Sequence, residues 1–478
     1  MKYFFAATIL CLGFAIAGVL LELRSLFFAP LVIAALVAIA HRPHLLFYLL
    51  VLSIPWSIEY NVTPSLGTDL PDEPLMLLTA FSTIAFFLFT RWRPSLRAVL
   101  SPLAILLILQ FVWFAITVIF STSPLTSLKF LLAKTWYLAA FVITPLLIFQ
   151  KRERLQLAAF LLAGSMMTFT IFGLLRHAQY GFTFEKINDS LQPFFRNHVN
   201  YSALLVCIVP LLVTYYRLAT QRSHKWLRGL LILIALFALF LSYARGAWLA
   251  LIVGGVAYWL LQKRLLFKTY VLAFLLLFAG LFWLIQENRY LRFAHDYNTT
   301  IFHTDFKEHL VATYQLKDVS SAERFYRWIA GVRMVKDRWQ TGFGPTTFYQ
   351  HYKGYGVPAF KTWVSKNEEH STVHNYFLLT IIEQGVIGLI LLLLILGYFF
   401  YRAEKLYRHE EDPFWKKAVA VTIVIMAMLC TVNFLSDLVE TDKLGSLFYI
   451  SIAIILVADS RRRSQFSADI KRIPQTIA

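Results

Sequence analysis

Residues 374–401 read HNYFLLTIIEQGVIGLILLLLILGYFFY, a polar start followed by an almost unbroken apolar run. The run predicts a membrane-spanning helix, because about 20 apolar residues cross the hydrocarbon core of a bilayer. On a continuous helix, Gly385 lies roughly 20° around the axis from His374, and Gly388 lies about 40° to the other side. Small residues allow close helix packing inside a bilayer. We therefore expect His374 at the exposed end of a packed helix surface.

Apolar runs of similar length recur along most of the 478 residues, of which 58% are hydrophobic and 15% charged. This pattern excludes a soluble globule and predicts an all-α polytopic membrane protein in contact with membrane lipids. The predicted bundle has 12–14 transmembrane helices, because three runs are short and one of them could be re-entrant or interfacial. The predicted helices cover residues 3–21, 25–40, 45–57, 74–90, 100–120, 127–149, 155–176, 198–216, 229–243, 247–262, 269–286, 374–401, 417–434 and 445–459.

The net charge of +18 is concentrated in alternate loops, which include residues 91–97, 151–154, 217–228, 263–268, 402–417 and 461–472. Lys and Arg accumulate in cytoplasmic loops of membrane proteins, so these loops and both termini are predicted to be cytoplasmic. Topology explains the basic charge, and no nucleic-acid partner is expected.

The first apolar run could be a cleaved signal peptide, but a retained helix is favoured because the next apolar run follows at once. The three cysteines fall inside predicted helices without a pairing pattern, so no disulfide is expected.

The same alternation places residues 58–73, 121–126, 177–197, 287–373 and 435–444 on the side opposite the cytoplasm. The longest of these segments contains an amphipathic helix pattern, with Ser320 and Glu323 spaced as a capping box. Gly342, Gly344 and Pro345 are expected to end that helix. It could form a lid on the membrane surface or a linker that packs on the bundle.

The predicted helices and loops divide the chain into five parts. These are N-terminal helices (1–194), helices with an Arg245 turn (195–286), the large loop (287–373), C-terminal helices (374–460) and a tail (461–478).

His374 is the first candidate for chemistry, since imidazole is the side chain most often used as a general base near neutral pH. A histidine at a helix end can also have a structural role, such as a hydrogen bond to a lipid headgroup. His370 and His374 have the spacing of two metal ligands on a helix. However, the glutamate of the usual zinc motif is not in place, and no metal is expected. Glu383 lies about 180° from His374 on a helix, and better candidates to orient the imidazole are Asp437, Glu440 and Asp442.

Four cations lie where the membrane topology disfavours positive charge. Arg245 sits in Ser-Tyr-Ala-Arg-Gly-Ala-Trp between two apolar runs, and its guanidinium could bind phosphate through two parallel hydrogen bonds or hold a lipid headgroup. Arg324 begins the loop helix and Arg196 precedes the eighth predicted helix. Lys134 lies inside a predicted helix, where it could contact substrate or extend to the interface.

These residues together resemble the O-antigen ligase and polymerase superfamily of membrane glycosyltransferases. His374, Asn375, Gly385 and Gly388 match the ligase motif of His, then Asn or Ser, nine residues and Gly-x-x-Gly, whereas Leu389 replaces its small polar residue. A second match is the Ser-x-x-Arg-Gly turn, formed here by residues 242–246. A third is an arginine before a Gly-x-Gly, formed here by Arg324 and residues 342–344. The resemblance covers residues 195–460.

The resemblance implies a GT-C-like bundle in the bacterial inner membrane with a periplasmic active site. It also implies a metal-independent, inverting transfer from an undecaprenyl-diphosphate-linked glycan to a lipid A-core or other glycan acceptor, without a cofactor. In that scheme His374 is the base, Arg245 and Arg324 hold the diphosphate, and Arg196, Lys134 and Asn375 are possible substrate contacts.

Three other functions remain open from the sequence. A polymerase or a protein O-oligosaccharyltransferase would use the same donor with a different acceptor. A transporter of an anionic or lipid-linked substrate would place the arginines along a translocation path. A membrane scaffold without chemistry would leave the arginines on the outer side unexplained.

Overall fold

In the computed structural model, residues 43–63, 66–89, 100–293, 319–358, 361, 365–366 and 371–472 are described. Ten helices in these ranges are long and apolar enough to cross a membrane. The prediction of an all-α polytopic membrane protein is confirmed, and the predicted helices at 3–21 and 25–40 lie outside the described residues. The ten helices are Asp72–Phe89, Pro102–Ile119, Pro124–Ile148, Arg152–Gln179, His198–Arg217, Arg222–Leu241, Leu266–Leu284, Tyr376–His409, Pro413–Phe434 and Asp442–Arg463.

Shorter elements connect these helices. The apolar run predicted at 45–57 forms a helix over Pro43–Ser53 and a 3₁₀ turn over Ile54–Trp56, too short together to span a bilayer. A further helix, Arg245–Gln262, follows the Arg245 turn as predicted. Short helices cover Ile187–Leu191 and Phe348–Tyr355, and 3₁₀ turns cover Phe184–Lys186, Gln286–Phe293 and Leu438–Glu440.

Within the part of the chain that the structure describes, one β-hairpin lies between the helices, and it was not predicted from the sequence. Strands Ile58–Thr63 (β1) and Leu66–Leu70 (β2) pair antiparallel, with Glu59 opposite Asp69 and Tyr60 opposite Thr68. Ile58, Tyr60 and Val62 alternate with polar residues, which is the period of a strand with one apolar face. The hairpin lies in the first segment that was predicted to be outside the membrane.

The centre of the bundle is formed by the helices Arg245–Gln262 and Pro413–Phe434. Small residues at positions 247, 250, 254 and 257 are buried along one face of the first helix. A Cβ atom at Gly254 would lie 2.2 Å from the Cε atom of Met428, so the Met428 side chain would have to move for any larger residue. Such a stripe of small residues permits close helix packing where no hydrophobic effect drives association.

The loop helix spans Val319–Asp337 and ends before Gly342, as predicted. The capping-box prediction is wrong, because Ser320 already lies within the helix and Glu323 pairs with Arg327 instead. The helix packs on the first turns of Tyr376–His409, where a Cβ atom at Gly331 would lie 2.7 Å from Ile382 Cδ1. Trp328 Nε1 also donates a hydrogen bond to the carbonyl of Val373 (3.0 Å). Along this contact the helix packs on the bundle.

The helix Tyr376–His409 is broken at Gly385, whose φ of 68° and ψ of −173° are accessible to glycine alone. The backbone of residues 342–344 fills the break. Phe343 N–H donates to Ile382 O (2.9 Å), and Gly344 N–H donates to Glu383 O (3.0 Å). Irregular backbone at membrane depth is tolerated where protein groups satisfy it in this way.

The predicted geometry of a single helix face is therefore wrong. His374 precedes the helix, and the break at Gly385 changes the helix direction before Gly388. The expectation that the glycines pack closely is correct. A Cβ atom at Gly385 would lie 2.0 Å from Gln340 O, and one at Gly388 would lie 3.5 Å from Trp113 Cδ1.

Candidate active site

His374 is held in an unusual backbone conformation at the start of the broken helix. Its φ of 54° lies in the left-handed region, which non-glycine residues adopt at a cost of about 1–3 kcal/mol and often at functional sites. The next residue, Asn375, caps the helix by accepting the N–H of Leu378 (2.9 Å), and its Nδ2 donates to Phe434 O (3.0 Å). Tyr376 N–H donates to Ser436 O (2.9 Å). The histidine is thus fixed against the segment that follows the helix Pro413–Phe434.

That segment brings a carboxylate to the imidazole. Nδ1 of His374 lies 3.8 Å from Oδ1 of Asp437, and the hydroxyl of Thr372 donates a short hydrogen bond to Oδ2. Burial raises the pKa of Asp437 to about 6, against the opposing effect of the Thr372 hydrogen bond, and the charge of Glu440 raises it further. Of the carboxylates predicted to orient His374, Asp437 is the one that contacts it.

The imidazole itself is strongly biased toward its neutral form. Burial lowers the pKa of His374 to about 3, and the charges of Arg327, Arg324 and Arg196 act in the same direction. About a third of the side chain, 34%, remains exposed. At neutral pH the ring therefore carries a free nitrogen lone pair and is open to a small group from outside.

Three arginines contribute to this positive field, and two of them, Arg324 and Arg196, were predicted as site residues. Arg324 is half-buried on the loop helix, and Arg196 is exposed next to Asn197, which caps the helix His198–Arg217. The structure brings both close enough to His374 to lower its pKa.

Arg327 is the site residue that the sequence analysis missed. Its side chain is buried, Nη1 donates to Thr372 O (3.1 Å), and Nη2 lies 3.4 Å from Glu323 Oε2. A signal was present, because residues three apart on a helix lie on the same face. Arg327 lies one turn after Arg324 and so faces the same side of the loop helix.

Arg245 lies at the first turn of its helix, two residues after Tyr243, whose φ is 57°. The N-terminus of a helix carries partial positive charge, which adds to the charge of the guanidinium. A Cβ atom at Gly246 would lie 3.4 Å from Leu435 Cδ1, two residues before Asp437. The Arg245 turn thus packs on the segment that supports His374.

The side chain of Lys134 is largely buried and pairs with a carboxylate of the protein. Its Nζ forms an ion pair with Glu440 Oε2 (3.0 Å) and lies over the rings of Phe130, Tyr137 and Tyr449. The ion pair gives Lys134 a partner within the protein, in the segment predicted to lie outside the membrane. The pair ties the helix Pro124–Ile148 to the segment with Asp437, while direct substrate contacts by Lys134 and Asn375 stay predictions.

The arrangement combines a neutral imidazole, a carboxylate beside it and a group of guanidinium charges. Such a site can bind an anionic group and accept a proton from a neighbouring hydroxyl. His370, the other half of the possible metal pair, lies outside the described residues.

Residues 230–393 match a family model described as O-antigen ligase. This region, about a third of the chain, includes the Arg245 turn, the loop helix, His374 and both motif glycines. The match is consistent with the O-antigen ligase and polymerase superfamily, and it indicates an O-antigen ligase-like function for this multi-pass membrane protein. No curated protein shows significant similarity to the chain.

Proposed function

We propose that this membrane protein, with its O-antigen ligase segment, transfers a glycan from undecaprenyl diphosphate to a sugar hydroxyl of lipid A-core. The reaction would take place on the periplasmic face of a bacterial inner membrane. The observation that carries the proposal is the neutral His374 beside Asp437 within the field of Arg324, Arg327 and Arg196.

His374 acts as the general base in this mechanism. The acceptor oxygen attacks the anomeric carbon of the donor sugar, its proton passes to the imidazole, and the bond from carbon to the diphosphate oxygen breaks. Attack opposite the leaving group inverts the anomeric centre. A positioned base typically contributes about 10²- to 10⁴-fold to a rate. Asp437 holds the ring and stabilises the imidazolium that forms.

Arg245 and Arg324 hold the diphosphate leaving group. The departing diphosphate gains negative charge in the transition state, and preformed cationic donors stabilise that charge by about 3 kcal/mol each. No metal or nucleotide cofactor is assigned a role in these steps, because guanidinium groups can supply the positive charge.

The arginine field also links donor binding to basicity. With the donor absent, the arginines oppose protonation of His374. A bound diphosphate neutralises part of this field, so the pKa of His374 should rise from its low value, while burial, the larger cause, still holds it below the usual range. The imidazole would become a stronger base when the donor is present.

The acceptor is tested by offering purified protein an undecaprenyl-diphosphate-linked glycan together with lipid A-core, with no acceptor, or with an acceptor protein. The proposal predicts that, of these three mixtures, only the one with lipid A-core gives a product. Longer glycans without a core acceptor would instead identify a polymerase, and a glycosylated protein would identify an oligosaccharyltransferase. Movement of the donor across liposomes without any product would identify a transporter.

A further inference from the structure

A second group of charged side chains lies away from His374. Asp69 belongs to strand β2, Asp72 is the first residue of helix Asp72–Phe89, and Asp442 is the first residue of helix Asp442–Arg463. One carboxylate oxygen from each of the three residues lies within 4.8 Å of the other two. Residues separated by about 370 positions in the chain thus converge on one point.

Asp72 distinguishes this group from an ordinary acidic surface. Its side chain is only 1% exposed, and neither carboxylate oxygen accepts a hydrogen bond of good geometry in the described structure, although the Ser57 hydroxyl lies close by. Burial of a carboxylate without a compensating partner is strongly unfavourable. Both oxygens of Asp72 are therefore available to a ligand at the centre of the group.

The surrounding charges do not balance the three carboxylates. Lys443 is the nearby cation, and its Nζ donates to Ile54 O (2.7 Å) and to Ser57 O (3.2 Å) and Oγ (2.5 Å). Glu59 lies directly opposite Asp69 in the hairpin, and like charges in that position destabilise a strand pair. Three carboxyl groups thus share one nearby ammonium, and a bound cation would allow all three to be ionised together.

We propose that Asp69, Asp72 and Asp442 bind one Ca²⁺ ion. Carboxylate oxygens are the preferred ligands of Ca²⁺ and Mg²⁺, whereas zinc sites use mainly His and Cys. Opposite ligands are about 4.6–5.2 Å apart around Ca²⁺ and about 4.0–4.2 Å apart around Mg²⁺. The three oxygens lie within 4.8 Å of one another, so one Ca²⁺ could bind all three, and its flexible coordination geometry tolerates their irregular placement.

The bound ion would join three parts of the fold and leave the transfer chemistry unchanged. It would connect the hairpin to the N-termini of two helices. Asp442 directly follows the turn with Glu440, and Tyr137 OH donates to the carbonyls of Thr441 and Asp442 (both 3.3 Å). The ion would thereby stabilise the segment that carries Asp437, although neither His374 nor Asp437 binds it.

The test uses full-length protein in detergent after treatment with a chelator. Calcium binding is measured by titration calorimetry, and Tb³⁺ luminescence is measured with excitation of tyrosine, since Tyr137 lies next to Asp442. Wild type should bind one Ca²⁺ per chain and unfold at a higher temperature with Ca²⁺ than with the chelator. Mg²⁺ should have a smaller effect.

The decisive variant is Asp72→Asn, which keeps the shape of the side chain and removes its charge. It should weaken Ca²⁺ binding by about tenfold or more and lose the Tb³⁺ signal. Glu185→Gln is the matched control, since it removes an exposed acidic charge on another loop and should bind like wild type. Asp69→Asn serves as a second test if Asp72→Asn does not fold. Equal Ca²⁺ binding by wild type and the variants, or none by wild type, would overturn the proposal.

Discussion

Substitution of Gly385 by alanine tests whether the break in the long helix organises the site. The new Cβ atom would lie 2.0 Å from Gln340 O and 2.4 Å from Gln340 C, so backbone must move. An alanine at a φ of 68° and a ψ of −173° costs about 1–3 kcal/mol. Movement of residues 339–344 also endangers three hydrogen bonds, worth about 0.5–1.5 kcal/mol each. The expected loss is about 5 kcal/mol, a large part of a typical stability of about 5–15 kcal/mol.

Thermal unfolding in detergent, followed by tryptophan fluorescence, measures this loss. Gly385→Ala should lower Tm by more than about 5 °C and should also reduce transfer, because the displaced segment follows the helix with Arg324. Gly255→Ala is the matched control. No atom lies within 4 Å of its new Cβ, and alanine favours a helix over glycine by about 1 kcal/mol. A Gly385→Ala protein with the Tm of wild type would refute the reasoning.

Three further predictions concern the proposed chemistry. Asp437 has a pKa of about 6, so the transfer rate of wild type should decline below that pH, where the carboxylate is protonated. Asp437→Asn should be about 10²-fold slower than wild type, and its pH profile should lack this decline. Arg245→Lys keeps the positive charge but loses the planar guanidinium group, so the transfer rate should fall about 10²-fold. The control is Arg222→Lys, at the exposed start of the preceding helix, which should transfer at the wild-type rate. Inorganic pyrophosphate should raise the pKa of His374 in an NMR titration, and an unchanged pKa would remove the link between donor and base.

Helix positions were predictable because the length of an apolar run directly limits where a helix can cross the bilayer. The run predicted at 198–216 forms the helix His198–Arg217, and the run predicted at 155–176 forms Arg152–Gln179. Candidate site residues with an unusual charge for their topology were also visible in the sequence. Arg324 and Arg196 were found in this way, and both lie near His374.

The break at Gly385 could not be predicted, because the apolar run is continuous and glycine also occurs within regular membrane helices. The groups that satisfy the break, Trp339 to Gly344, lie about 40 residues earlier in the chain. The convergence of Asp69, Asp72 and Asp442 depends on contacts across the entire fold. Periodicity describes neighbours along one element and contains no information on such distant pairs.

Comparison of wild type with His374→Ala in a transfer assay is the most direct test of the proposed function. Purified protein receives an undecaprenyl-diphosphate-linked glycan and lipid A-core, with and without EDTA, below the unfolding temperature of both proteins. We predict that wild type forms product in both conditions and that His374→Ala, with an unchanged Tm, is slower by about 10²-fold or more. Transfer by His374→Ala at the wild-type rate would contradict the assignment of His374 as the base.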